Sequence, residues 1–310
     1  MQWEDYRQSD NLEDRRGSGG GGGFAGMPGG RGGVGIGTMV VLGLLGWALG
    51  IDPRLLIGGA ELIGGIGGRP QTQETRRSSG PPQDEMGRFV SAVLAQNEDV
   101  WSKVLPQQAN TRYQPPRLVL FSGVDRSGCG TAQAAMGPFY CPMDRQVYLD
   151  LGFWNTMSER LGAEGDFAQA YVIAHEVGHH VQTLEGTADR VRQAQSQARS
   201  QAEANRWQVA MELQADCYAG VWAARVGEAS GGQVTLEPGD IEEGLNAASR
   251  IGDDVLSGGQ ASPESFTHGS SEQRVEWLRR GLQSGDPAQC DTFGSGGGSQ
   301  APRQGQGKVM

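Results

Sequence analysis

His175-Glu176-Val177-Gly178-His179 reads H-E-x-x-H, and the spacing has a simple meaning on a helix. Residues four apart lie on one face, about 6 Å apart along the axis. Two imidazoles so placed converge on one Zn²⁺ with bonds of ~2.0–2.1 Å. Glu176 is turned about 100° round the helix from His175. Its carboxylate then reaches a metal-bound water without taking a ligand position. The alternative is a surface turn with two solvated histidines. The preceding residues argue against it: Phe167, Ala170, Tyr171, Val172, Ile173 and Ala174 form the apolar lead-in of a buried helix.

A catalytic zinc takes three protein ligands and keeps one position open. The metzincin extension would need a glycine at 182 and a histidine at 185, and the chain has Gln182 and Glu185. Glu212 is the candidate third ligand. It follows His179 by 33 residues in an apolar helical stretch, with Asp216 four residues on and on the same face. Asp216 then accepts the N–H of a ligand histidine and fixes its tautomer. An ordinary helix-surface pair is the alternative reading of any E-x-x-x-D. Of the other two histidines, His180 points elsewhere on the helix and reads as packed structure. His268, in Thr267-His-Gly-Ser-Ser-Glu-Gln-Arg274, is a candidate donor to a developing oxyanion. A loop histidine without a role is the competing reading. Arg274 is a candidate partner for a carboxylate near the site.

The chain has 310 residues, 51 of them glycine, and a net charge of −10. An acidic chain without a basic stripe excludes nucleic acid as an expected partner. The four cysteines contain no C-x-x-C, which argues against a zinc ribbon. Three disulfide pairings are possible. The expected one joins Cys129 to Cys141 across a short loop and Cys217 to Cys290, with four buried thiols as the alternative.

Residues 1–33 are polar and then glycine-rich, and read as a disordered cytoplasmic tail. Residues 34–51 lie within 20 consecutive uncharged positions, long enough as a helix to span the ~30 Å of a bilayer core. A cleaved signal peptide fits poorly, because some 30 residues precede the run and no A-x-A follows. Residues 52–83 read as a linker, 84–293 as the zinc domain, and 294–310 as a disordered tail. The expected protein is single-pass at the cell membrane. The cysteines put its catalytic domain outside the cytoplasm; a cytosolic peptidase would instead carry free thiols.

Within the domain, Phe89 to Val104 show helical spacing that Pro106 ends. Arg117–Phe121 and Gln146–Leu151 read as strands. Asp166 is placed to cap the zinc-motif helix. Helical composition dominates from Thr187 to about Arg225. Asp240 starts another helix, and Ser270-Ser-Glu-Gln273 matches a capping box.

These stretches resemble the neutral zinc metallopeptidase family of bacterial membrane-anchored proteins (the YpfJ type). The resemblance rests on Asn11-Leu-Glu-Asp-Arg-Arg-Gly17, Gly137-Pro-Phe-Tyr-Cys-Pro142, Val147-Tyr-Leu-Asp150, Ala174-His-Glu-Val-Gly-His-His180, Glu212-Leu-Gln-Ala-Asp-Cys217 and Thr267–Arg274. More remotely the chain is similar to the HtpX-type and prenyl-protein gluzincins, with their E-x-x-x-D and Thr-His segments. That likeness implies ligation by His175, His179 and Glu212 and a base at Glu176, and it favours His268. Gly269 departs from it, since those relatives usually have proline there. The expected fold is therefore α+β, a zincin-like (gluzincin) domain, mainly helical with a small sheet and preceded by one transmembrane helix. The expected function is hydrolysis of peptide bonds in a peptide or protein substrate, with an edge strand near Val147–Leu151 to receive it. A zinc-bound but non-hydrolytic envelope binding module is the alternative.

Overall fold

The computed structural model describes residues 1–18, 82–109 and 111–294. The expected span 34–51, the linker to 81 and the tail beyond 294 lie outside the described residues. Among the described residues no helix is long and apolar enough to cross a membrane.

The fold is mixed α+β. The longer helices are α1 (Glu85–Ala109), α2 (Asp166–Leu184), α3 (Thr187–Ser196), α4 (Gln201–Ala229), α5 (Asp240–Arg250) and α6 (Ser271–Ser284). The strands are β1 (Leu12–Asp14), β2 (Arg117–Phe121), β3 (Val124–Ser127), β4 (Gly130–Gln133), β5 (Phe139–Cys141) and β6 (Gln146–Asp150). Four strands form one sheet in the order β1-β2-β6-β5, and β3 and β4 make a separate hairpin. β1, β2 and β6 run parallel, and β5 is antiparallel to β6. The shared core holds Leu118, Leu120, Val147 and Leu149 from the sheet and Leu94, Trp101, Tyr171, Val177 and Trp222 from α1, α2 and α4.

The first correction concerns the N-terminus. Residues 1–18 are not a disordered tail, because they carry enough apolar surface and pairing to fold into the domain. Met1, Trp3 and Tyr6 are buried. Trp3 packs edge-on against Phe89 at 5.3 Å. Burying one such ring is worth about 3 kcal/mol. The backbone of β1 pairs Leu12 with Leu118, Glu13 with Val119 and Asp14 with Leu120. Ser9 and Asn11 hydrogen-bond Glu98 Oε1 at 2.5 and 2.8 Å. Residues 1–18 therefore belong to the domain expected to begin at 84, and β1 is an edge of its sheet.

A second correction follows from strand order. β6 lies between β2 and β5, so it is a central strand. The strand edge on its far side belongs to β5.

Smaller differences have local causes. Pro106 does not end α1, which runs to Ala109 with the proline in its last turn. The Thr187–Arg225 stretch divides into α3 and α4, and Ser200 caps α4 through the Glu203 N–H. Asp166 is the first residue of α2 rather than its cap. The capping box at Ser270 and Gln273 is present in full. Both disulfides pair as expected, Cys129 with Cys141 and Cys217 with Cys290.

Candidate metal centre

α2 is buried along most of its length, and His175, Glu176 and His179 all lie in its buried stretch. Its partner is α4. Gly178, inside the motif, is what lets them meet: a Cβ there would stand 3.1 Å from the Ala215 carbonyl oxygen and 3.2 Å from its Cα. The close crossing brings Glu212 and Asp216 of α4 onto the histidine face of α2. α6 reaches α4 in the same way. A Cβ on Gly281 would overlap the Cys217 carbonyl, and one on Gly220 would overlap that of Leu278. That contact lays Arg274 beside Asp216, and the Cys217–Cys290 disulfide closes the chain beyond α6 onto the same turn of α4.

Three donors converge. His175 Nε2 is 3.2 Å from Glu212 Oε2, and His179 Nε2 is 3.3 Å from the same oxygen. A tetrahedral metal with ~2.0–2.1 Å bonds has ligand atoms about 3.3 Å apart. The donor set of two imidazoles and a carboxylate, its buried position and its spacing all fit zinc. Each histidine also has its other nitrogen fixed. His175 Nδ1 donates to Asp216 Oδ1 at 2.8 Å, the carboxylate being acceptor only. His179 Nδ1 donates to Gln182 Oε1 at 2.9 Å. The Gln182 amide is held in turn by donating to the Met211 carbonyl at 2.7 Å and to Gln214 Oε1 at 3.0 Å. Both Nε2 atoms are thereby left to face Glu212.

Asp216 is fully buried and takes four hydrogen bonds. Besides His175, the Tyr171 hydroxyl donates at 2.6 Å, and Arg274 donates from Nε and Nη2, each at 2.9 Å. Burial by itself would raise this carboxyl, but the charges of Arg274 and His175 outweigh it and hold it at about 2. Burial would likewise lower His175, but Asp216 and Glu212 push it up to about 10. Glu212 is held well below the usual carboxylate range, against its burial, by the charges of His179 and His268 and by hydrogen bonds from both motif histidines. Gln208 donates to its second oxygen, Oε1, at 2.8 Å. The cluster is thus arranged for a cation at its centre.

Glu176 is buried, and among the described residues its carboxylate has no hydrogen-bond or ion-pair partner. His268 lies on the loop before α6, with its Nδ1 3.5 Å from Asp253 Oδ1. Asp253 holds that loop, its Oδ2 accepting the backbone N–H groups of Thr267, His268 and Gly269 at 2.7, 2.7 and 3.1 Å. His180 is satisfied as structure: Nε2 donates to the Gln114 carbonyl at 2.6 Å and Nδ1 accepts from Tyr140 at 3.1 Å. The four cysteines lie in disulfides and belong to no ligand set.

Sequence reasoning missed Tyr171 and Gln182. Helical spacing carried the signal for both. Tyr171 lies four residues before His175, and Gln182 three after His179, which puts each on its histidine's face.

Residues 1–293 match the family described as "Putative neutral zinc metallopeptidase". The Escherichia coli K12 protein YpfJ is 49% identical over 302 residues, covering 95% of this chain and 99% of that protein. Rv2575 of Mycobacterium tuberculosis H37Rv and Mb2605 of Mycobacterium bovis are each 42% identical over 223 residues, covering 67% of this chain and 72% of theirs. No solved structure matches the chain.

Proposed function

The chain belongs to this metallopeptidase family, and we propose that it is a membrane-attached, zinc-dependent endopeptidase. The observation that carries the reading is the buried His175–His179–Glu212 triangle with Glu176 beside it, a carboxylate without a hydrogen-bond or ion-pair partner among the described residues. A purely structural zinc site usually closes its fourth position with protein and needs no such base.

His175, His179 and Glu212 hold the metal. Bound zinc supplies Lewis acidity, polarising a carbonyl and making a water easier to deprotonate. Glu176 takes the proton from the attacking water on a free carboxylate oxygen and returns it to the leaving amine. His268, on the loop pinned by Asp253, donates to the oxygen on which negative charge develops. Asp216 and Gln182 keep the two ligand imidazoles in the required tautomer. The peptide docks in extended form along the open edge of β5. That strand touches the metal helix where Tyr140 meets His180, their rings 5.4 Å apart. The apolar run 34–51 attaches the protein to the cell membrane, and the two disulfides favour a domain outside the cytoplasm.

The test uses the full chain, since a fragment starting at residue 84 would lack β1. Wild type and Glu176→Gln, both zinc-loaded, are incubated with a mixed peptide library, and new termini are read by mass spectrometry. Cleavage by wild type alone is the expected result, and the cut sites give the preference. Equal cleavage by both would remove Glu176 from its role. No cleavage by either at full zinc occupancy would favour the non-hydrolytic binding module.

A further inference from the structure

The described residues stop at 18 and resume at 82, and the apolar run 34–51 falls between them in sequence. The two flanking segments are adjacent. Arg16 Nη1 and Nη2 reach Asp84 Oδ1 and Oδ2 at 3.1 and 2.6 Å. A Cβ on Gly87 would meet Pro82 at 2.3 Å and Arg16 Nη2 at 3.0 Å, so both flanking segments press on one glycine.

Residues 1–18 cannot be separated from the domain without dismantling it. β1 is hydrogen-bonded along β2, with Leu118 N–H donating to Asn11 O at 2.9 Å and Arg15 N–H to Leu120 O at 2.8 Å. Met1, Trp3 and Tyr6 are core residues. The Met1 ammonium is paired with Asp166 and Asp240, at 3.0 and 3.1 Å, across to α2 and α5. A single crossing by residues 34–51 would put this segment and the rest of its sheet on opposite sides of the bilayer. The cost would be every one of these contacts.

We propose that residues 1–18 and 82–294 lie on the same side of the membrane. The Arg16–Asp84 ion pair joins the two parts on that side. The proposal replaces the single-pass arrangement with the N-terminus opposite the domain. It rests on the membrane attachment proposed above, and not on the zinc chemistry.

The experiment uses the full chain in bacterial membranes. Asp5→Cys and Glu242→Cys place one exposed thiol in each part, and all four native cysteines are held in disulfides. Intact cells and permeabilised cells are treated with a membrane-impermeant maleimide, with the unsubstituted chain as background. Equal labelled fractions for the two variants in both conditions are expected. Labelling of one before permeabilisation and of the other only after it would overturn the proposal while leaving membrane attachment standing. An alkaline carbonate wash separates the other failure. Release of the chain into the supernatant would overturn the membrane attachment on which the proposal rests.

Discussion

Two clusters of candidate metal donors sit along α2 and meet opposite fates. At the start of α2, Asp166, Asp240 and Glu243 bring carboxylate oxygens within 4.8 Å of one another. In its middle, His175, His179 and Glu212 do the same. The first cluster is already served by a cation of the chain, the Met1 ammonium, with Asp166 at 3.0 Å and Asp240 at 3.1 Å. The second has each donor held from behind by a group that turns its free lone pair inward. The difference teaches that proximity of donors does not make a metal centre. What each donor's remaining hydrogen bonds do decides it, together with burial, which is deep at the second cluster and partial at Asp166 and Glu243.

The comparison can be broken most directly at Glu212. Glu212→Ala removes one of the three converging atoms, and zinc affinity is expected to fall by more than the about 10–100-fold typical of outer-shell changes. Full zinc occupancy measured by mass spectrometry in that variant would undo the assignment. Asp166→Ala should leave zinc content unchanged.

Next in size is the buried pair behind His175. Arg274→Met leaves Asp216 charged and without its bidentate partner, which should cost about 3–5 kcal/mol in urea unfolding of the metal-free protein. A loss under 1 kcal/mol would show that Tyr171 and His175 suffice to hold that carboxylate.

Gln182 sharpens the comparison further. Gln182→Leu keeps the three ligands but leaves His179 Nδ1 and Gln214 Oε1 without their buried partner, and zinc affinity should drop about 10–100-fold with a loss of about 1–3 kcal/mol in stability. Competition against a chelator measures this directly.

The smallest effect belongs to the closed cluster. Burial would lower the Met1 amino group, but hydrogen bonds and charge from Asp166 and Asp240 push it up from 8.0 to about 10. A folded-state value above the unfolded one means the stabilisation is complete below pH 8 and is lost as the pH rises through about 10. Asp166 and Glu237 are substantially exposed, and solvent screening reduces the expected loss to about 1 kcal/mol. Unfolding curves at pH 7.5 and 10.5, compared with an α-acetylated chain that lacks this dependence, test it.

Much of the site was legible because its spacing is local. The 3.6-residue period puts His175 and His179 together with Glu176 beside them, and it puts Glu212 and Asp216 on one face. The same period offered Tyr171 and Gln182, which went unread because neither is a residue type that ligates zinc. The role of Arg274 was legible only as a charge in a plausible place. Its partner lies 58 residues away, and a separation of that size has no periodic signature. The N-terminal segment was misread for a related reason. Its glycine-rich continuation suggested disorder, while Trp3, Tyr6 and the three residues of β1 are too short a run to announce a strand without the β2 edge that receives them.

The sequence by itself determined the chemistry: a helix with two imidazoles and a carboxylate in one turn, a second helix with an acidic pair, and cysteines at positions that close two loops. These follow from backbone geometry within a few residues. Only the tertiary structure decided that β6 is central and β5 is the open edge, that Asp216 answers to four donors, and that residues 1–18 belong to the domain they precede. Those outcomes depend on which surfaces find each other across the chain. Gly178, Gly220 and Gly281 allow helices to approach closely, but the choice of partner is made by the packed whole.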